Sequence, residues 1–373
     1  MTDGLNTMPL EHAFRPAARR ETPPAAASGA APRPAQAGAD AAPRATVSRG
    51  GVAAIVIGRN EGERLRACLA AVLGAAGPVI YVDSGSTDGS PGLAQAMGAE
   101  VVLLDLDRPF TAARARNAGL AALRARRSPL PPYVQFIDGD CALRPDWITR
   151  ARAFLDDHPD VALVCGRRRE RFPEASVYNR LCDREWDTPP GEARACGGDA
   201  LARVTALIIA GGYREDLIAG EEPELCVRLR GLGWRIWRLD AEMCWHDAAM
   251  TRFSQWWRRS RRAGFAFAAG AALHGAPPER HWVAETRRAL LWGAALPALA
   301  LVGIAGSTVA PAAGLLALGL LAYPAQMLRL ARRAGGNRGA IEWAVFTVLG
   351  KIPEALGVLE FHLGRRARII EYK

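Results

Sequence analysis

Asp138 and Asp140 stand one glycine apart, directly after Val134-Gln-Phe-Ile137. Val134, Phe136 and Ile137 are strand formers, and the run starts just past Pro131 and Pro132, so it reads as a central buried strand. In an open α/β sheet, ligands collect outside the carboxyl ends of the strands. Two carboxylates on a flexible turn at that edge suit a divalent cation that also grips a diphosphate. The plainer reading is an Asp-Gly turn with solvated acids. A second group of acids, Glu221, Glu222 and Glu224, lies in Gly220-Glu-Glu-Pro-Glu-Leu225. Pro223 suits the first turn of a helix there, with Leu225, Leu229 and Leu232 as its apolar face. Such carboxylates can be dipole partners alone. His246, in Cys244-Trp-His-Asp247, comes after a run at 234–239 that reads as a strand. A neutral imidazole beside two carboxylates suits Mn²⁺ or Mg²⁺, and a hydrogen-bonded interfacial histidine is the other reading.

The elements that would carry these groups alternate. Apolar runs at 52–57, 79–82 and 101–104 read as buried strands, and helical spacing follows the first at Leu65, Leu69, Val72 and Leu73. The second strand runs into Asp83-Ser-Gly-Ser-Thr-Asp-Gly-Ser90, which reads either as a nucleotide-handling loop or as a Ser/Gly-rich turn with a helix cap. Thr111 is placed to cap a helix carrying Arg114, Arg116 and Asn117. A helix with Trp147, Ile148, Ala151 and Phe154 follows the central strand, and 161–165 reads as the next strand. The cluster Arg167, Arg168, Arg169 and Arg171 is either solvated surface or a phosphate contact. Repetition of strand, polar turn and helix predicts a doubly wound α/β sheet with right-handed crossovers. No GxGxxG follows the first strand and no GxxxxGK[ST] occurs, which speaks against a Rossmann dehydrogenase and a P-loop ATPase.

The whole chain sets further bounds. At 373 residues it has room for one large domain or two modest ones. Its net charge of +10 suits phosphorylated substrates, an anionic membrane or nucleic acid, but no nucleic-acid-binding motif is present. Seven scattered cysteines without CxxC spacing argue for a reducing compartment and against a zinc or disulfide framework. Residues 1–50, rich in Ala, Pro, Gly and Arg, read as a disordered tail without the apolar core of a secretory signal. Two apolar runs, 289–310 and 312–328, are flanked by Arg287 and Arg288 on one side and by Arg329, Arg332 and Arg333 on the other. They read as a transmembrane hairpin with both ends cytoplasmic, or as a soluble core hairpin. Residues 341–363 carry Glu342, Lys351, Glu354 and Glu360 among apolar neighbours, which fits a re-entrant or interfacial helix better than a third span. Arg365, Arg366 and Arg368 follow at a basic C-terminus.

Taken together, five stretches resemble an inverting family-2 glycosyltransferase with the GT-A fold. They are Val56-Ile-Gly-Arg-Asn-Glu61, Val82-Asp-Ser-Gly-Ser-Thr-Asp-Gly89, Ala115-Arg-Asn-Ala-Gly119, Phe136-Ile-Asp-Gly-Asp140 and Gly220-Glu-Glu-Pro-Glu-Leu225. The resemblance covers about residues 50–250. It implies that Asp83 holds the base of a nucleotide-sugar donor, that Glu61 sits beside the nucleoside, and that Arg116 lies near the donor pocket. It makes Asp138 and Asp140 the DxD pair, with Asp140 the stronger ligand for Mn²⁺ or Mg²⁺ and His246 a third ligand in some members. Glu222 takes the position of the catalytic base, where the family more often has Asp, and Glu221 ranks second. Ser84 stands where the family usually has a second acid. Cys196-Gly-Gly-Asp199 resembles a glycine-rich edge near the transferred sugar, where Asp199 serves a sugar hydroxyl or a turn. Phe253-Ser-Gln-Trp-Trp-Arg-Arg259 resembles the QxxRW motif of membrane-attached members, with Arg259 in place of Trp. That makes Gln255 and Arg258 donor-closing residues, or parts of an amphipathic interfacial helix on anionic lipid. Residues 176–190, with Tyr178 and Trp186, are either ordinary packing or part of an acceptor cleft.

The implied architecture is a catalytic domain at 51–250, a gating or interfacial segment at 251–288, a membrane hairpin at 289–330 and a re-entrant or interfacial helix beyond 331. The implied reaction passes a sugar from a UDP- or GDP-type donor to a lipid-linked saccharide in surface glycan synthesis. The expected location is the bacterial inner membrane with the catalytic domain cytoplasmic. A polyprenyl-phosphate glycosyltransferase is the alternative enzyme, and a membrane-tethered nucleotide-sugar-binding regulator without turnover is the alternative from another class. Nucleic acid is not an expected partner.

Overall fold

Val52–Gly58 forms strand β1, buried at every residue but the last because both faces of the run are apolar. The computed structural model of the protein describes residues 51–126 and 129–364. The expected N-terminal tail and Arg365, Arg366 and Arg368 lie outside the described residues. Helix α1 (Glu63–Leu73) follows β1 and buries Leu65, Cys68, Leu69 and Val72, one stripe at helical spacing. Then come β2 (Val79–Asp83), α2 (Ser90–Ala96), β3 (Glu100–Leu103), α3 (Ala112–Ala125), β4 (Tyr133–Asp138), β5 (Cys141–Leu143) and α4 (Trp147–Asp157). The second half adds β6 (Val161–Glu170), α5 (Val177–Glu185), β7 (Gly191–Glu192), β8 (Ala200–Arg203), α6 (Val204–Ala210), α7 (Glu221–Gly231) and β9 (Arg235–His246).

These strands make one sheet in the order β3-β2-β1-β4-β8-β6-β9-β5, with β7 on β9. Pairs β3/β2, β2/β1, β1/β4 and β6/β9 are parallel. The register sets Gly58 opposite Asp83, and Ile57 opposite Asp138, so the carboxyl ends of β1, β2 and β4 share one edge. Helices α1, α2 and α4 pack on one face and α3, α6 and α7 on the other, which gives the doubly wound α/β, GT-A-type arrangement. Gly119 is where α3 meets β1. A Cβ there would lie 2.4 Å from Ile55 Cγ2, so only glycine lets the helix sit this low and bring Arg116 to the functional edge.

The second half departs from the sequence reading in three places. The strand expected at 161–165 runs on to Glu170, taking the arginine cluster into the sheet. The strand expected at 234–239 runs on to His246. Between β4 and β6 lies the short antiparallel β8, which has no apolar run of its own beyond Ala200, Leu201 and Ala202.

Beyond the sheet lie α8 (Phe253–His274), α9 (Val283–Leu290), α10 (Leu296–Gly306), α11 (Ala322–Arg333), α12 (Arg338–Leu349) and α13 (Lys351–His362). A π turn at Leu291–Ala295 joins α9 to α10 just before Pro297, whose missing N–H and bulky ring disturb the preceding turn. The apolar runs expected at 289–310 and 312–328 are thus parts of longer helical segments, Val283–Gly306 and Pro311–Arg333, the second starting as a 3-10 helix at Pro311–Leu321. The stretch at 341–363 is two helices broken at Gly350, and α13 packs on α8.

Candidate active site

Four loops meet at the carboxyl edge of the parallel strands. The β1 loop is pinned to the β2 loop by Asn60, whose Oδ1 accepts from Thr87 N at 2.7 Å and whose N–H donates to Ser86 Oγ at 2.9 Å. Asp88 accepts from Gly62 N at 3.0 Å. Asp83 is buried, and its two oxygens accept from Tyr81 Oη, Gly85 N, Ser86 N and Ser86 Oγ. Its carboxylate therefore shapes its own loop, and in this conformation all four lone-pair directions are in use. Glu61 lies over Gly58 and Gly139 and pairs with Arg64 at 2.9 Å.

Two of the expected acids, Asp138 and Glu221, come together on Arg116. This buried guanidinium donates to Asp138 Oδ1 at 2.9 Å and to Glu221 Oε1 at 2.6 Å. Burial works against its charge, but Asp138 and Glu221 outweigh burial and hold its pKa above the ordinary value. Glu221 is the mirror case: burial would raise it, yet Arg116 and Arg262 bring it below the usual carboxylate range. Gly198 closes this cluster from the side. A Cβ there would meet Arg116 Nη2 at 2.7 Å and Asp138 Oδ2 at 3.0 Å, so this edge of the backbone can approach only as glycine.

Glu222 is placed quite differently from its neighbour. It is 3% exposed and accepts from Cys196 N at 2.7 Å, Gly197 N at 2.9 Å and Cys226 Sγ at 2.8 Å. None of these partners is cationic, and burial pushes its pKa up.

Asp140 and His246 form the other half of the site. His246 Nε2 lies 3.4 Å from Asp140 Oδ2, and Nδ1 lies 3.3 Å from Glu170 Oε2. Burial lowers the histidine pKa. Asp140, Cys141 and His246 offer ligand atoms within 4.8 Å of one another. Two ligands in neighbouring positions around an ion at 2.0–2.1 Å sit about 3 Å apart, so the Asp140–His246 spacing fits one divalent cation.

Other residues singled out in the sequence make contacts of their own. Gln255 is buried at the start of α8. Its Oε1 accepts from Thr251 N and Arg252 N at 2.9 Å each, and its Nε2 donates to Ala249 O, so it locks the start of α8. Arg258 is exposed on α8, with no described contact to the acids. Three arginines of the cluster pair with carboxylates: Arg167 with Asp183 and Asp187, Arg168 with Asp199, and Arg169 with Asp183 and Glu242, while Arg171 lies over the Phe172 ring. Asp199 is fully buried and accepts from Asp138 N at 2.8 Å, which fixes the backbone of the Asp138 turn. Trp186 sets its edge against the His246 ring, centroids 4.5 Å apart, and carries the Arg168 guanidinium on its face. The sequence reading passed over Glu170 and Asn179. Both are buried polar residues behind His246, and neither has a local motif around it.

Residues 53–203 match the family model described as Glycosyl transferase family 2. Among solved structures, the mannosyltransferase PcManGT from Pyrobaculum calidifontis, in complex with GDP-Man and Mn²⁺, is 23% identical, over 85% of this chain and 88% of that one, with a TM-score of 0.55. The glucosyl-3-phosphoglycerate synthase from Mycobacterium tuberculosis, in complex with Mn²⁺, UDP and glucosyl-3-phosphoglycerate, is 18% identical over 61% of this chain and 81% of that one, with a TM-score of 0.42. The likeness to PcManGT establishes the fold. No curated protein sequence matches the chain.

Proposed function

We propose that the chain, whose residues 53–203 match the Glycosyl transferase family 2 model, moves a sugar, in one inverting displacement, from a UDP- or GDP-type donor to a hydroxyl of a lipid-linked saccharide. The observation that carries the hydroxyl acceptor is the contrast between Glu221 and Glu222. Two adjacent acids whose environments push their pKa values apart take different roles. Glu221 is tied to Arg116, which weakens it as a base. Glu222 has no described cationic partner and a raised pKa, which brings a carboxylate nearer to the strength a general base needs at neutral pH.

In this reading the donor lies along the edge of β1, β2 and β4. The β1 and β2 loops, tied together by Asn60, form the nucleoside wall, with Asp83 shaping it and Glu61 beside it. Asp140, His246 and Asp138 would hold Mn²⁺ or Mg²⁺, and that ion would supply charge neutralisation for the departing diphosphate. PcManGT is solved with GDP-Man and Mn²⁺ on the same fold, and the reading extends that chemistry to this chain. Arg116 holds Asp138 and Glu221 in fixed relation. Glu222 takes the proton of the acceptor hydroxyl. The acceptor oxygen bonds to the anomeric carbon as the carbon–phosphate oxygen bond breaks, and its electron pair leaves with the nucleoside diphosphate.

The two apolar helical segments, Val283–Gly306 and Pro311–Arg333, support a membrane-held enzyme. Their arginine flanks support a catalytic domain on the cytoplasmic side of a bacterial inner membrane, in contact with anionic lipid, and suit surface glycan synthesis. One observation favours the polyprenyl-phosphate acceptor instead. Glu222 is turned into the Cys196 and Gly197 amides, and a phosphate acceptor needs no base.

A donor screen on membranes containing the protein, with mass analysis of the lipid fraction, tests the reading. The expected product is a lipid-linked saccharide one sugar longer. A glycosyl-phosphoryl lipid would establish the alternative, and donor binding without any product would end the catalytic reading.

A further inference from the structure

We propose that Glu170 is a positioning residue for the cation site: its carboxylate takes the Nδ1–H of His246 and so turns the Nε2 lone pair toward Asp140. The inference rests on the reading of Asp140 and His246 as cation ligands and deepens it.

The sheet itself makes the pair. Glu170 ends β6 and His246 ends β9, and the parallel register sets them directly opposite one another. Glu170 is 1% exposed. Its Oε2 lies 3.3 Å from His246 Nδ1 and accepts from Ala248 N at 3.1 Å. Its Oε1 accepts from Phe172 N at 3.2 Å and from Asn179 Nδ2 at 3.3 Å. Every partner on the carboxylate is a donor, so Nδ1 must donate as well. A neutral imidazole carries one proton. With that proton on Nδ1, Nε2 is a bare lone pair, and it stands 3.4 Å from Asp140 Oδ2. An ion bound at Nε2 takes the place of any proton there, so the one proton left on the ring is the Nδ1 proton that Glu170 accepts.

The frame behind Glu170 is built for the same end. Asn179 on α5 holds Glu170 through its Nδ2, and its Oδ1 accepts from Met250 N at 3.1 Å, just past His246. Asp183 on the same helix accepts from Glu170 N at 2.9 Å. Trp186 then closes against the histidine ring. A carboxylate behind a ligating imidazole fixes the tautomer and ring orientation and raises the basicity of the ligand nitrogen.

Glu170→Gln puts an amide NH₂ among four donors. Either Nδ1 loses its acceptor or the Phe172 and Asn179 side does. The experiment titrates the full-length protein in detergent with Mn²⁺ alone, by calorimetry, and records ¹⁵N-histidine spectra of the metal-free protein, with His246→Ala to identify the signal. The wild type should bind Mn²⁺ with His246 protonated on Nδ1. Glu170→Gln should bind Mn²⁺ about 10–100-fold more weakly and shift the proton toward Nε2. Glu170→Asp keeps the charge but draws it back, so it should keep the tautomer and show an intermediate affinity. If Glu170→Gln does not fold, the wild-type tautomer and Glu170→Asp decide. A wild type that binds Mn²⁺ with its proton on Nε2 would overturn the role of Glu170, and so would variants that bind Mn²⁺ as the wild type does. A wild type that binds no Mn²⁺ would instead end the cation reading on which the role depends.

Discussion

Glu221 and Glu222 differ in environment more than most adjacent pairs can. Glu221 opens α7 facing Arg116, while Glu222 turns back to the Cys196–Gly197 backbone. The proposed division of labour predicts different losses. Glu222→Gln should cut the transfer rate by a factor of about 10² to 10⁴ while donor affinity stays within a few-fold of wild type. Glu221→Gln should act mainly on donor affinity, because it loosens Arg116 and through it Asp138. Initial rates and donor titrations on both variants separate these outcomes. A collapse of rate in Glu221→Gln alone would exchange the two roles. The pH dependence has a definite sign. A base works deprotonated, and burial raises the Glu222 pKa. The rate should therefore fall as pH drops through a value above the ordinary carboxylate range, and Glu222→Gln should lose that limb. At this scale the acids were legible because strand ends and helix starts advertise them. Glu170 was not legible, because its partner His246 is 76 residues away and only the β6/β9 register joins them.

Elements were legible in proportion to their length and apolar regularity. β1, β2 and β4 announced themselves as short apolar runs, and Thr111 caps α3 as expected, its Oγ1 accepting from Arg114 N at 3.1 Å. β8 was hidden because it is four residues long and takes its place from its neighbours rather than from its own pattern. The α8–α13 contact was hidden for a related reason: what brings these helices together is the absence of side chains. A Cβ on Gly357 would lie 2.0 Å from Arg261 O, and one on Gly264 would lie 1.9 Å from Glu354 O. The two helices therefore touch backbone to backbone, where no flexible tip can give way. Gly357→Ala should force them apart and destabilise the protein by about 1–3 kcal/mol. Gly231→Ala, where nothing lies within 4 Å, should stay within about 0.5 kcal/mol of wild type. Thermal melts of the two variants in the same detergent make the comparison. Equal melting temperatures would mean that α13 is not held against α8 in this way.

At the scale of the whole molecule, α5 links the sheet to the C-terminal helices. Asn179 bonds Glu170 behind His246, while Tyr178 and Arg180 reach α12, through the Phe346 ring and a bidentate pair with Glu342 at 3.0 and 3.1 Å. The segments themselves have little protein to cover them. Within the most apolar window of each, 17% of Val283–Gly306 is buried and none of Pro311–Arg333. A 24-residue helix is about 36 Å long, against a hydrocarbon core of about 30 Å, so length and exposure both suit a span. Arg287 and Arg288 begin the first segment and Arg329, Arg332 and Arg333 end the second, while the turn at 307–310 has no charge. A hairpin with its turn across the membrane from the catalytic domain follows from the positive-inside rule. Thr308, exposed in that turn, is the site to label. Six of the seven native cysteines are buried and Cys196 is partly so, and all belong to the domain expected inside, which leaves the parent protein a clean control. Thr308→Cys in cells expressing the protein should react with a membrane-impermeant maleimide before lysis, and the parent should not. Labelling only after lysis would reverse the orientation. Release of the protein from membranes by alkaline carbonate would show that the hairpin does not span, and the lipid-linked acceptor would then lose its physical ground.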